Sequence, residues 1–382
     1  MNGPADVNGP AGTYGIADPN GAPVGADSLK LTSYFGERQR TTEGGFAADA
    51  LLDLYGRQSL ATSVLLRGAE GFGARQRLRT DVSLTLSEDL PLIAVAVDTR
   101  PRIEAVLEPA TRLIGSGLVT LERARLLTGD IPPVIPAEDA GDETKLTIYL
   151  GRQERVYRTP AFVAVCDLLH RRGIAGATAL LGVDGTLHGE RERAAFFGRN
   201  ARTPMMVIAV GSGTQIGQVL PELGGLLRRP LLTLERVRIC KRDGTRLCAP
   251  SALPGTDRTG LPLWHKLMIY TSETALHDGQ PIHRTIVRRL RSAGLAGATT
   301  ERGVWGFHGD HAPHGDRLLQ LGRHVPVVTI VIDAPERIAA AFDIIDSLTT
   351  DRGLVTSETV PAIRLAGGAR SPEIFRALPG LG

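Results

Sequence analysis

The chain has 382 residues, a formal net charge of +3, 42% hydrophobic and 22% charged residues. That composition excludes wholesale disorder, and the length predicts two or three domains. No apolar run reaches the roughly 18–20 residues a membrane helix needs. Met1 to Asp27 has neither the basic start nor the apolar centre of a secretory signal. Cys166, Cys240 and Cys248 are too few and wrongly spaced for a disulfide framework or a zinc knuckle. The expected setting is the cytoplasm, with reduced thiols.

Taken in chain order, the elements fall into three like sets. Residues 1–27 carry almost no large apolar side chain and read as a disordered tail. The first repeat, 28–127, opens on a β-rich run, Leu31 to Phe35. It continues through an apolar strand at Val64–Leu66, a glycine-rich segment, an alternating run at Val82–Leu86 and a near-continuous apolar run at Leu92–Val97. A helix then carries Ile103, Val106, Leu107 and Ala110 on one face, and Val119–Leu127 closes the unit. After a linker at 128–142 the second repeat, 143–242, returns the same order. It has a strand at Leu146–Leu150, a helix bearing Phe162, Val165 and Leu169, a strand at Met206–Val210 and a helical stripe of Ile216, Val219, Leu220 and Leu223. A second linker, 243–262, leads to the third repeat, 263–365. Its first helix bears Ile282, Ile286 and Leu290, its later strand spans Val327–Ile332, and its second helix bears Ile338, Ala341, Phe342 and Ile345. Residues 366–382 form a loose tail.

The period of about 115–120 residues is too long for a solenoid unit, so each copy is a small domain. The order is β-α-β-β-α-β, and the fold class is α+β: three ferredoxin-like repeats, each an antiparallel sheet with two helices on one face. The middle repeat carries a charge of +8, against +1 and 0 for the first and third.

The segment Arg67-Gly-Ala-Glu-Gly-Phe-Gly73 after a short strand, then Leu86-Ser-Glu-Asp-Leu-Pro91, then Gly117-Leu-Val-Thr-Leu-Glu122 resembles the family called domain of unknown function 190, within the PII-like superfamily of trimeric signalling proteins. The resemblance covers about 300 residues in three tandem copies. Copy one matches best. In copy two Leu181 stands in place of the arginine and Thr186 in place of the phenylalanine; copy three keeps Arg302-Gly-Val-Trp-Gly-Phe307. The resemblance implies one intramolecular pseudo-trimer, monomeric as a chain, with small-ligand clefts between neighbouring repeats. It further implies a regulatory protein that binds an anionic ligand, an adenine nucleotide first, and acts on a protein partner. A membrane transporter is the partner class that the family's gene neighbourhoods suggest.

The candidate ligand residues follow from the same segments. Arg67, Gly68, Gly71, Phe72 and Gly73 combine a forked cation with backbone that a phosphate can approach. Arg302, Gly303 and Gly306 repeat them. Arg75, Arg77 and Arg79 alternate along an extended arm. Glu88 and Asp89 are placed to meet an arginine or a ribose. Gly117, Thr120, Gly353 and Thr356 precede or open the last strand, where the resemblance implies phosphate contact. Each has a plainer reading as well: a tight turn for the glycines, a helix cap before the last strand, and a solvated surface for the charges. His308, His311 and His314 are dense enough for a metal ion but lie on no helix that would fix their spacing, so no metal is expected. Cys166 reads as core.

No nucleophile elbow, phosphate-binding loop with Lys, or metallopeptidase motif occurs, and an enzyme is not expected. A nucleic-acid binder shares this element order, but 4% aromatic residues supply no stacking platform. No cofactor is required. The alternative to the sensor is a ligand-free scaffold built on the same three repeats.

Overall fold

In each repeat a strand carrying one lysine opens the domain, and a proline starts the inner strand. The computed structural model describes residues 16–17, 25–73, 76–81, 89–131, 135–136, 143–191, 203–253, 255–257, 262–308, 313–315, 325–350 and 353–365. In the first repeat β1 is Ala26–Gly36, α1 Ala47–Arg57, β2 Thr62–Arg67, β3 Glu70–Phe72, β4 Pro91–Thr99, α2 Arg100–Ile114 and β5 Gly117–Thr128. The second has β6 Glu143–Gly151, α3 Ala161–Arg171, β7 Gly176–Leu181, β8 Asp184–Leu187, β9 Pro204–Ser212, α4 Gly213–Leu226 and β10 Leu231–Arg242. The third has β11 Leu263–Ser272, α5 Ile282–Ser292, β12 Ala298–His308, β13 Pro326–Asp333, α6 Pro335–Leu348 and β14 Leu354–Leu365. The β-α-β-β-α-β order expected from periodicity stands in the third repeat, and the first two carry one further short strand, β3 or β8, between their helices. Each helical stripe named above faces a core: Ile103 to Ala110, Ile216 to Leu223 and Ile338 to Ile345 are all buried.

One expectation needs correction. The first strand begins at Ala26, inside the segment read as a tail, and Ile16–Ala17 pairs with Ile135–Pro136 of the first linker. In the second linker Thr245–Arg246 pairs back onto Lys241–Arg242. Two-residue segments leave no periodic signal, so only the partner strand reveals them. The predicted strand at Val82–Leu86 lies outside the described residues.

Within the first repeat the antiparallel order is β5-β1-β4-β2. Pro91, Pro204 and Pro326 each stand at the first position of a strand, where a missing N–H costs nothing to the ladder. The sheet edges are then closed by the neighbouring repeats. β8 of the second repeat pairs with β2 of the first, the far half of β12 pairs with β7 of the second, and β3 of the first pairs with the near half of β12. The closing strands join in the same cyclic way, β5 to β10, β10 to β14 and β14 to β5. All fourteen strands, with four two-residue strands, form one 18-stranded sheet. Pairing of this kind removes the exposed edges that would template aggregation.

Helices cover the outer face of each sheet over a separate core. The inner faces of all three sheets meet in a shared apolar cluster that includes Val64, Leu66, Leu180, Met206, Val328 and Ile330. Six charges lie buried within this centre. Lys30 stands opposite Glu122 across the β1–β5 ladder, Lys145 opposite Glu235, and Lys266 opposite Glu358. Each ammonium also reaches the glutamate of another repeat. Lys30 contacts Glu122 at 2.8 Å and Glu235. Lys145 contacts Glu235 at 2.9 Å and Glu358 at 2.6 Å. Lys266 contacts Glu358 at 3.3 Å and Glu122 at 2.8 Å. The result is a closed ring of alternating charge. Burial by itself would drive the lysines neutral, but the flanking carboxylates outweigh it and hold Lys30, Lys145 and Lys266 above the ordinary lysine range. Burial opposes the ionised carboxylates in the same way, and the ammoniums hold Glu122 and Glu358 below the ordinary carboxylate range.

Removing one member of a buried ion-paired set strands its partners. Lys145→Met leaves Glu235 and Glu358 each one cation short, and should lower unfolding stability by about 3–5 kcal/mol in urea titration.

Candidate functional site

The glycine-rich segments fold where one repeat meets the next. A side chain at Gly68 would lie 2.7 Å from the Pro91 ring, and one at Gly71 2.5 Å from the Ala298 carbonyl of the third repeat. Gly303 and Gly306 meet Pro326 and the Ala177 carbonyl in the same way, at 2.7 and 2.2 Å. Gly182 and Gly185 repeat the pattern in the second copy, Gly182 against the Pro204 carbonyl at 2.3 Å and Gly185 against the Ser63 carbonyl at 2.1 Å. These glycines admit a neighbouring strand; the close approach sensed in the sequence is to backbone. Phe72 is buried in the third repeat's core and Phe307 in the second's, so the first and third repeats each lend an aromatic ring to a neighbour. Gly73 is the exception, with open space around it.

Arg67 binds Glu37 through both ends of its fork, at 2.8 and 2.9 Å, with about half its side chain exposed. Arg302 holds the equivalent Glu273 at 2.8 Å and also pairs with Asp81 of the first repeat. In the second repeat Leu181 replaces the arginine and Arg152 replaces the glutamate, so both partners are gone together. Asp89 accepts from the Arg38 amide at 2.8 Å and pairs with Arg79 at 2.7 Å. Glu88, Arg75 and His311 lie outside the described residues. His308 and His314 stand with ring centroids 6.5 Å apart.

Gly117, Thr120 and Thr356 lie within the closing strands, and Gly353 directly precedes one. Gly117, at φ 143°, sits under the Tyr34 carbonyl, and Gly353, at φ 94°, under that of Tyr270. The cap of α2 is Gly115. Thr120 and Thr356 are fully buried on the inner face, and the Thr120 hydroxyl donates to Glu122 at 3.0 Å. Inward-facing positions alternate along a strand, so a hydroxyl two residues from a buried glutamate must share its face. Cys166 is core as expected, its thiol pushed up by burial.

Sequence reasoning missed the ring of charges. The signal was present: only four lysines occur, and three hold the same place in their repeats, facing the Glu of Thr-Leu-Glu or Thr-Ser-Glu. It also missed an open cleft of about 510 Å³ between repeats one and three. Gln76 of the first repeat donates to the Leu295 carbonyl at 2.6 Å and forms one wall. Trp264, Asp333, Arg337 and Arg364 of the third repeat form the others. The Arg364 guanidinium lies 5.4 Å from the Trp264 ring centre, and Arg337 is hydrogen-bonded to the Gly294 carbonyl. No local motif announces this cleft, because its walls are separated by up to about 290 residues of sequence.

A chain of three like domains, closed by strand exchange around a buried charged centre, defines the class of protein. The family profile for domain of unknown function 190, described as uncharacterized ACR, matches residues 28–126, 143–239 and 264–362, and the chain belongs to that family. A UPF0166 protein of Aquifex aeolicus (strain VF5) is 33% identical over 99 residues, which is 26% of this chain and 92% of that protein. That relative is the size of one repeat. Among the described residues no helix is long and apolar enough to cross a membrane.

Two substitutions follow from the glycine contacts. Gly306→Ala should cost about 1–3 kcal/mol because its methyl meets the Ala177 carbonyl, whereas Gly73→Ala should stay within about 0.5 kcal/mol, both read by urea titration.

A third concerns Glu301, fully buried where the first two repeats have Leu66 and Leu180, with Oε1 lacking a hydrogen-bond partner. Burial raises its carboxyl from the ordinary 4.5 to about 8. The folded state therefore keeps a proton that the unfolded chain loses above 4.5. Stability should fall as pH rises between about 4.5 and 8, and Glu301→Leu should raise stability and flatten that decline in pH-dependent urea melts.

Proposed function

We propose that the chain is a non-enzymatic, PII-like regulatory protein of the cytoplasm, three ferredoxin-like repeats condensed into an intramolecular pseudo-trimer. It binds a small anionic ligand, an adenine nucleotide first, between repeats one and three and acts on a protein partner. A membrane transporter is the partner class this reading carries forward. The observation that carries it is the cleft where Gln76 closes against Trp264, Arg337 and Arg364. An indole offers a stacking face for a base, and two guanidiniums offer permanent, forked charge for phosphate. The second and third junctions have no Trp at the position of Trp264, which is Ser28 in the first repeat and Glu143 in the second. That difference supports one binding cleft per chain.

The scaffold reading rests on a separate observation: Gly68, Gly71, Gly303 and Gly306 are employed by packing, and Arg67 is held by Glu37. Calorimetric titration of the purified chain with AMP, ADP, ATP and cyclic nucleotides separates the two. Saturable binding is expected, with Arg364→Ala weakening it by roughly 1.5–3 kcal/mol, on the order of tenfold to a hundredfold. Arg67→Ala, outside the cleft, should change affinity by no more than about twofold. Absence of heat for every nucleotide favours the scaffold.

A further inference from the structure

The backbone of the ring is the same at every junction. Each repeat extends a hairpin onto the neighbour's strand, and each contributes one Lys and one Glu to the centre. These features have threefold character and cannot tell one repeat from another. Symmetric contacts of that kind would also allow like repeats from three chains to assemble. What fixes the order has to lie in side chains that differ between the junctions.

The differences concentrate where each hairpin meets the first helix of its neighbour. The three helices are all 11 residues long, and their seventh positions are Asp53, Asp167 and Arg288. The second repeat's hairpin carries Arg191, which pairs with Asp53 of α1 and with its own Asp184 at 2.7 Å. The first repeat's hairpin, which also bears Arg77 and Arg79, turns two carboxylates toward the third repeat. Glu70 is buried beside α5 with Oε2 lacking a hydrogen-bond partner; burial raises its carboxyl, Arg284 and Arg288 nearby oppose that rise, and Asp81 pairs with Arg302. The charges at this contact are the reverse of those at the previous one. Among the described residues the third repeat's hairpin makes an aromatic contact: Phe307 enters the second repeat's core and stands edge-on to His170 of α3, ring centres 5.0 Å apart.

We propose that these three contacts form a pairing code, in which each hairpin fits one helix of the chain and is unsuited to the other two, so that the ring closes in a single order of repeats. The mismatches show how. The first hairpin set on its own repeat would place Glu70 and Asp81 against Asp49 and Asp53. The second hairpin on α5 would place Arg191 against Arg284 and Arg288. Arg191 against Asp167 is compatible in charge, but Thr186 would then stand where Phe307 fills the second repeat's core. Like charges brought together in a half-buried contact disfavour the wrong partner more than opposite charges favour the right one, which is how specificity of this kind is obtained. The code does not depend on whether the cleft binds a ligand.

The test exchanges the seventh residues in the full chain, Asp53→Arg with Arg288→Asp. The code predicts an unfolding equilibrium shifted at least about tenfold toward the unfolded state, and species heavier than one chain. Light scattering reads these against the monomer mass of 40.7 kDa. A variant that melts like the parent and runs as a single monomer overturns the code. Should the exchanged chain fail to fold, the milder cycle Asp53→Asn, Arg191→Gln and their double variant carries the decision. Coupling of about fivefold or more upholds the code, and additive effects within about twofold reject it. Asp167→Asn, at the same helix position in the aromatic junction, should be silent within about twofold. A cost equal to that of Asp53→Asn would mean that helix position, and not junction chemistry, sets the effect.

Discussion

Three lysines and three glutamates, sealed from water where the sheets converge, form the constraint on which the rest of the structure depends. An isolated ammonium or carboxylate in that position would be desolvated at a cost of several kcal/mol. Each is tolerated because two opposite charges flank it, and the second comes from a different repeat. The charge balance is therefore complete only when all three repeats are present and closed. A hydrophobic centre would hold the sheets together without requiring this count or this register; the ion-paired ring requires both.

From that centre outward the same logic recurs at each layer. The glutamates sit opposite their lysines in the strand ladder, which fixes the register of the opening and closing strands. With the register fixed, the free edges fall at the same places in every repeat and are covered by the neighbour's hairpin. The glycines at 68, 71, 182, 185, 303 and 306 are what let those hairpins lie close enough to hydrogen-bond. Phe72 and Phe307 then fill the neighbour's core. Folding and assembly are in this way coupled for the second and third repeats, whose cores each lack a buried member until a neighbour supplies it.

Within one chain the repeats are free to differ where symmetry does not bind them. The middle repeat lacks the Arg67–Glu37 type of pair, and the third carries Trp264 beside Arg364 and a buried Glu301 in place of leucine. A homotrimer would have to accept each such change three times over. A single chain accepts it once, at one junction, and a cleft unlike the other two can arise there. The first and third repeats also meet without a linker between them, and their junction holds both the cleft and the buried Glu70.

The sequence alone determined the repeat, the order of elements and the helix faces, because these are local: apolar residues at i, i+3, i+4 and i+7, and runs that begin at a proline, report on their own element. The buried Cys166 was legible for the same reason. The role of the glycines was half legible. Their spacing announced a close approach, but whether a phosphate or a strand approaches depends on residues more than a hundred positions away. Lys30, Lys145 and Lys266 were visible as a recurrence among four lysines, yet nothing local says that a polar side chain at that point of a strand faces inward. Thr120 and Thr356 misled for that reason, since a threonine at a strand's start looks exposed until another sheet is laid over it. The cleft at Gln76, Trp264 and Arg364 was decided by tertiary structure alone, because its walls come together only when the last repeat closes on the first.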